Sequence, residues 1–351
     1  MALSHAAYLL WAGAREPSFL FWHGPFVSDE RWSEAVIRWL SGACSSGFFI
    51  LMGAGISLYA HARRDAGWDW ASIRRHFAIR GLVLIVLQFV VENMLWSLKP
   101  GESWFNYVGV LYALGASMAI AGALSRLPSL ALGFLCLGMV LLPEIATPAF
   151  RGMEASLPPV IALTILAGKS AGLNIYFPAL PWLGLTISGL LLGRLLIHDP
   201  RRSWRVAGGA GAALVLSALI IRWNGGPGNL GVVEGRGWIG FFTFVKYPPS
   251  LAYASWNAGL ILIALPALNW VAHAVPAFAR VAAVYGRSSL FFYLSHLVIF
   301  AGISRILGPP GQTLPVVLIF WCGGLLILLP ICRWYFQFKR STPLDSWWRL
   351  F

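Results

Sequence analysis

The stretch SSLFFYLSHLVIFAGISRIL, residues 288–307, decides how this chain folds. Twenty residues rising 1.5 Å each make a helix about 30 Å long, the thickness of a bilayer's hydrocarbon core. Its only fixed charge is Arg305, close to its end, while His296 sits near mid-depth. An ionisable group at that depth is costly. Where one occurs, it usually faces a bundle interior or a wet cavity and marks function. A second histidine, His5, stands in the apolar opening run MALSHAAYLLWAGA, residues 1–14.

The rest of the chain repeats the pattern. Apolar residues make up 58% of the 351 and charged ones 11%, with a mean hydropathy of +0.71, so lipid rather than water is the solvent. The 18 tryptophans suit a protein with two membrane–water interfaces. The sequence predicts an all-α polytopic integral membrane protein, a single domain over 1–351. Nine full spans are expected at about 39–60, 77–97, 105–124, 128–147, 177–197, 205–222, 249–272, 286–307 and 314–333, after a stub at 1–13. The stub is too short to cross and carries no basic signal-peptide start, so the natural chain is expected to begin upstream, with its first helix truncated here. Residues 156–168, LPPVIALTILAGK, are apolar but short, as in a re-entrant or interfacial piece.

Charge gives the orientation. One set of loops collects sixteen of the 26 Lys and Arg: Arg63, Arg64, Arg74, Arg75, Arg80, Arg126, Arg194, Arg201, Arg202, Arg205, Arg280, Arg287, Arg333, Lys339, Arg340 and Arg349. The opposite set holds Arg15, Arg31, Arg38, Lys99, Arg151, Lys169, Arg222, Arg236, Lys246 and Arg305, together with nine of the thirteen acids. The first set is cytoplasmic by the positive-inside rule, giving about ten helices with both ends cytoplasmic. That accounts for the net charge of +13 without nucleic acid. Three long segments, 14–38, 148–176 and 223–248, lie on the other side, and long loops of this kind tend to be functional. Small residues four apart, Gly189 with Gly193 and Gly208 with Ala212, allow close helix packing.

Candidate chemistry centres on imidazoles. Ser289, Tyr293, His296 and Phe300 fall on one helical stripe, where hydroxyls one and two turns back can orient the ring or relay its proton. The plainer reading is a neutral histidine bonded across helices. Neutral imidazole is a competent base or nucleophile near pH 7, which makes His5 and the loop residue His23 candidates as well. His61, His76, His198 and His273 flank cytoplasmic span ends and read as interfacial. Glu92 and Glu144, near outer span ends, either pair with a base or a cationic amine or face water. The basic loop HARRDAGWDWASIRRH, residues 61–76, with Arg80 beyond it, presents Arg74, Arg75 and Arg80 either to the phosphates of a cytosolic cofactor or to anionic lipid. Cys44, Cys136, Cys322 and Cys332 form no C-x-x-C pair and read as apolar packers, and no metal site is expected. No P-loop, G-x-G-x-x-G after a strand, H-E-x-x-H or G-x-S-x-G context occurs.

Five stretches, in order, carry a resemblance: RWLSGACSSGFFILMGAGISLYAHARR (38–64), RHFAIRGLVLIVLQ (75–88), YFPALPWLGLTISGLLLGRLL (176–196), FFTFVKYPPSLAYASWNAGLIL (241–262) and GRSSLFFYLSHLVIF (286–300). The chain resembles the bacterial branch of the heparan-α-glucosaminide N-acetyltransferase catalytic-domain family. The PWLG, KYPPSL and FYLSH segments are the most specific, and they make Trp182, Lys246 and Tyr247 candidate supporting residues. In that family the first helix opens with Asp-x-x-Arg-Gly, absent here, and MALSH looks like the end of the apolar run after that element, placing His5 at its polar position. His23, in FWHGPF, is the nearest match to the family's loop histidine. Gln88 stands where relatives often carry an acid, with Glu92 one turn later on the same face. The resemblance implies acetyl transfer from cytosolic acetyl-CoA to an amino sugar or envelope glycan across a bacterial inner membrane and, by analogy only, a homodimer. Two other classes stay open: a proton-coupled transporter or flippase of a small polar or lipid-linked substrate, and a non-catalytic envelope scaffold.

Overall fold

The computed structural model describes residues 1–11, 18–98, 106–308, 310–343, 346 and 348. Arg15, Lys99, Asp345 and Arg349 of the charge pattern lie outside the described residues. Among the described residues, eight helices are long and apolar enough to cross a membrane: Trp32–Asp65, Trp70–Trp96, Ser129–Phe150, Ala179–His198, Pro200–Asn224, Leu251–Ala274, Ser289–Leu307 and Leu314–Ser341. The protein is therefore an all-α polytopic membrane protein, and bulky apolar side chains such as Leu130, Phe134, Ile145, Ile319 and Leu326 stand exposed on these helices for lipid to cover.

The segment expected as a span at 105–124 is shorter. Its helix runs Val110–Leu124, fifteen residues and about 22 Å. The residues before it are used otherwise: Tyr107–Val108 pair as a strand with Asn174–Ile175, and Gly109 caps the helix. The apolar piece at 156–168 forms the six-residue helix Pro159–Thr164 and then enters the hairpin Gly168–Ser170/Leu173–Ile175.

Helix ends obey local chemistry. Asp69 accepts from the Ser72 amide at the start of Trp70–Leu87, and Asp199 accepts from the Arg202 amide where Pro200 opens the next helix. Gly225, at φ 64°, ends that helix in the left-handed conformation glycine adopts without strain.

The chain forms two compact units. The first comprises Met1–Glu16, Val90–Phe105 and Ala267–Phe351. In it the nine-residue helix Ala2–Leu10 packs against Ser289–Leu307 and Leu314–Ser341. A helix this short is marginal alone, and its last carbonyls lack intrahelical donors. Here they are served from elsewhere in the unit. Ser304 Oγ donates to the Leu9 carbonyl at 3.0 Å, and the Gln312 amide donates to Leu10 at 2.9 Å.

The second unit comprises Pro17–Phe89 and Asn106–Pro266. Its centre is the crossing of Trp32–Asp65 with Ala179–His198, where glycine sets the distance. A methyl on Gly189 would run into the Ile50 carbonyl, and one on Gly53 into the Thr186 carbonyl. Gly193 also sits close, where an added methyl would come within 2.7 Å of Ser57 Cβ and the Ala54 carbonyl oxygen, as the four-residue spacing predicts. The other predicted pair has a different phase: Gly208 touches little, and Gly211 meets Gly259 instead, each within 2.8 Å of the other's carbonyl for an added methyl. The three long segments knit together. Val27–Ser28 pairs with Glu234–Gly235, the Trp22 amide donates to Tyr247, and the Trp22 indole donates to the Ala167 carbonyl at 2.6 Å.

Candidate functional site

His296, on the third turn of Ser289–Leu307, is wholly buried. Its Nδ1 lies 2.8 Å from the Phe292 carbonyl oxygen, and its Nε2 lies 2.8 Å from Nδ1 of His5. A carbonyl only accepts, so His296 Nδ1 carries the proton and its Nε2 is the acceptor. His5 must then donate from Nδ1, which places its own lone pair on Nε2. The rings are nearly parallel, at 13°. A pair 291 residues apart in sequence thus has both tautomers fixed through one backbone carbonyl.

A carboxyl completes the cluster. Glu92 is 1% exposed; its Oε1 accepts from the Tyr293 hydroxyl at 2.8 Å and from the Trp96 indole at 3.2 Å, while Oε2 has no partner among the described residues. Tyr293 and Trp96 each set an edge against His5, at ring distances of 5.8 and 5.1 Å. Glu92 lies in a π-helical turn, Gln88–Glu92, between Trp70–Leu87 and Asn93–Trp96. One extra residue in a turn re-phases every later position on the helix by about 100°. Gln88 bonds the Tyr107 carbonyl and the Tyr112 amide, whereas Glu92 meets Tyr293 and Trp96.

The stripe on the His296 helix also needs correction. Ser289 is exposed and bonds no imidazole among the described residues, and the Tyr293 hydroxyl donates its hydrogen bond to Glu92 while its ring stands edge-on to His296 at 5.5 Å. Orientation of the His296 ring comes from Phe292, one turn back on the backbone. Phe300 does lie beside His296, edge-on at 6.1 Å.

In the second unit, the loop residue His23 is exposed and bonds the Gly24 carbonyl through Nδ1 at 3.1 Å. Partial desolvation holds its imidazole below the usual pKa, against the opposing pull of Glu154 and of that carbonyl. Beside it lies an aromatic layer: Phe21 at 5.4 Å, and beyond it Tyr247 and Tyr176. The Lys246 ammonium sits over Tyr247 at 4.7 Å. Trp182 joins through Phe177; it is fully buried, stacks on Phe49, and its indole N–H has no partner among the described residues. Arg74 and Arg75 are exposed on the helix after the basic loop; Arg80, a turn further on, is partly buried. Among the described residues, no three His, Cys, Asp or Glu side chains converge to hold a metal.

Sequence reasoning missed Trp96, the Phe292 carbonyl and Ser304. Trp96 had a signal, since it stands four residues after Glu92, one helical turn away. So did the Phe292 carbonyl, four residues before His296; Ser304 acts through a contact across 295 positions that no local pattern encodes.

The family model described as "Heparan-alpha-glucosaminide N-acetyltransferase, catalytic" matches residues 25–223, more than half of the chain, and the chain belongs to this family. The matched region contains Glu92, Arg74, Arg75, Arg80 and Trp182, and leaves outside it His5, His23, Lys246, Tyr247, Ser289, Tyr293 and His296. No curated protein matches the chain. Membership carries a membrane acetyltransferase-like role.

Proposed function

We propose that this family member is a membrane-embedded acetyltransferase in which His5 acts as the base, drawing acetyl from cytosolic acetyl-CoA onto an amino sugar or envelope glycan beyond the bacterial inner membrane. The observation that carries the reading is the 2.8 Å bond between His5 Nδ1 and His296 Nε2, with His296 held in turn by Phe292. This is the logic of a base whose tautomer and ring are set by a second group. In the reaction, the acceptor's N–H or O–H gives its proton to His5 Nε2 as its heteroatom bonds the thioester carbonyl carbon. The carbon–sulfur bond breaks, and the proton leaves with the thiol. The charge that develops on His5 is stabilised through its bond to His296. Glu92, held by Tyr293 and Trp96, places a carboxyl group on the residues that wall His5.

Arg74, Arg75 and Arg80 supply guanidinium groups suited to the phosphates of acetyl-CoA. His23, with Lys246, Tyr247 and Trp182 in the loop layer, serves the acceptor. Ser289 takes no part.

The test is a proteoliposome assay with radiolabelled acetyl-CoA on the cytoplasmic face. Label is expected on an enclosed amino sugar, with His5→Ala and His296→Ala each reducing it by at least ~100-fold, as for loss of general-base catalysis. No label on any amino sugar or glycan, together with pH-driven solute uptake, would establish the transporter reading instead.

A further inference from the structure

The helix Pro276–Arg287 joins the spans Leu251–Ala274 and Ser289–Leu307 on the face that the charge count places in the cytoplasm. Its twelve residues reach about 18 Å, too short to cross the hydrocarbon core, so it runs along the surface. None of them is buried. At 3.6 residues per turn, Phe278, Val281 and Ala282 fall on one side and Arg280 and Arg287 on the other. A water-soluble helix would turn the first side inward. Here it is bare, with Phe278 55% exposed and Val281 46%. A helix with arginines opposite an aromatic and aliphatic side lies in the membrane interface, its apolar side among acyl chains. Trp270 and Trp334, both exposed, stand in the last two turns of Leu251–Ala274 and Leu314–Ser341, where interfacial anchors belong.

The end of this helix carries a second feature. Phe336, half-buried on Leu314–Ser341, holds two guanidiniums over its ring, Arg287 at 5.2 Å and Arg340 at 6.0 Å. Both arginines are exposed. Attraction to the ring fixes each of them, while their like charges repel. An anion that reaches both relieves the repulsion. Arg287 makes no hydrogen bond or ion pair among the described residues, so its fork of N–H donors is unspent there. That fork matches a phosphate in shape and charge. A soluble phosphate would account for the arginines alone and leave the bare side of the helix unexplained. A phospholipid accounts for both, with chains for Phe278 and Val281 and a phosphodiester at the depth where an interfacial helix meets the headgroups.

We infer that the helix Pro276–Arg287, with Phe336 and its two arginines, is a binding site for an anionic phospholipid of the cytoplasmic leaflet. Acyl chains cover Phe278 and Val281, and the phosphodiester bridges Arg287 and Arg340. The acetyl-transfer reading uses none of these residues, so the site stands or falls without it. The full chain in detergent is titrated with phosphatidylglycerol and with phosphatidylcholine, whose choline cancels the phosphate charge, and bound lipid is counted by native mass spectrometry. The first phosphatidylglycerol should bind about tenfold more tightly than phosphatidylcholine, and Arg287→Gln should cut that preference about fivefold. Phe336→Leu keeps every charge but loses the ring that gathers two of them, and should cut it several-fold; if that variant does not fold, Arg287→Gln carries the comparison. Arg205→Gln, exposed near the start of Pro200–Asn224, should leave the preference intact. Equal affinity for the two lipids, or an equal loss in Arg205→Gln, would reduce the site to diffuse charge. Displacement of the bound lipid by coenzyme A would make it a site for soluble phosphates instead. In nanodiscs, a nitroxide on Val281→Cys, with the native cysteines replaced, should meet oxygen more readily than a water-soluble nickel chelate. The reverse order would lift the helix out of the membrane and overturn the proposal.

Discussion

At the residue scale, one carbonyl settles the chemistry of two imidazoles. Phe292 accepts from His296, His296 accepts from His5, and the reactive lone pair is assigned to His5 Nε2. The Tyr293–Glu92 bond beside them is testable by itself. Tyr293→Phe removes the hydroxyl that serves a carboxyl group 1% exposed, and leaving such a group short of a donor costs about 1–3 kcal/mol. Unfolding in detergent should show that loss. A double-mutant cycle with Glu92→Gln should give a coupling of about 1 kcal/mol, and a coupling near zero would mean that the bond contributes nothing. His23 makes a separate prediction. Desolvation lowers its pKa in the folded chain, while Glu154 pulls it up. Glu154→Gln should therefore move the His23 titration still lower, read from labelled-histidine NMR. The sign for stability is set by which state protonates first. Below 6.5 the unfolded chain binds the proton before the folded one, so this residue's contribution falls as pH drops from 6.5 towards the folded pKa. His23→Gln should remove that part of the slope.

At the element scale, most of the helices were legible and most of the site was not. Apolar runs such as 288–307 announce a span through length and the near absence of charge, which are local properties. The Gly189 and Gly193 contact was legible too, because four-residue spacing is a local pattern with a direct consequence for packing. The π-helical turn at Gln88–Glu92 was not. Nothing in QFVVE signals an extra residue per turn, and the face on which Glu92 emerges depends on it. Nor was the meeting of His5 with His296, because a contact across 291 positions is set by tertiary packing. Glycine packing gives the prediction for this scale. Gly189→Ala pushes a methyl into the Ile50 carbonyl and should destabilise by about 1–3 kcal/mol or more, since backbone cannot give way as a side chain does. Gly55→Ala, on the partner helix with nothing within 4 Å, is the control. It should be neutral or stabilise by up to about 1 kcal/mol through helix propensity. Equal effects at both sites would remove the case that glycine sets this crossing.

At the scale of the whole molecule, charge is the strongest signal, and it is distributed rather than local. From Gly235 to Leu344 the chain contains no acid at all, while Arg280, Arg287, Arg333, Lys339 and Arg340 gather in loops and helix ends that the charge count places together. Each basic residue near an anionic leaflet contributes about 1 kcal/mol. An excess of six on one face is therefore worth several kcal/mol in favour of one orientation, enough to make the inverted one rare. The acyl-transfer reading needs that orientation, because Arg74, Arg75 and Arg80 must face the compartment that holds acetyl-CoA, and the loop layer carrying His23 must face the other. In a background with the four native cysteines replaced by serine, a single cysteine at Arg236 should react with a membrane-impermeant maleimide in intact cells. One at Arg201 should react only after permeabilisation. The opposite pattern would invert the protein and leave transfer across the membrane without a structural basis even if both histidines proved essential.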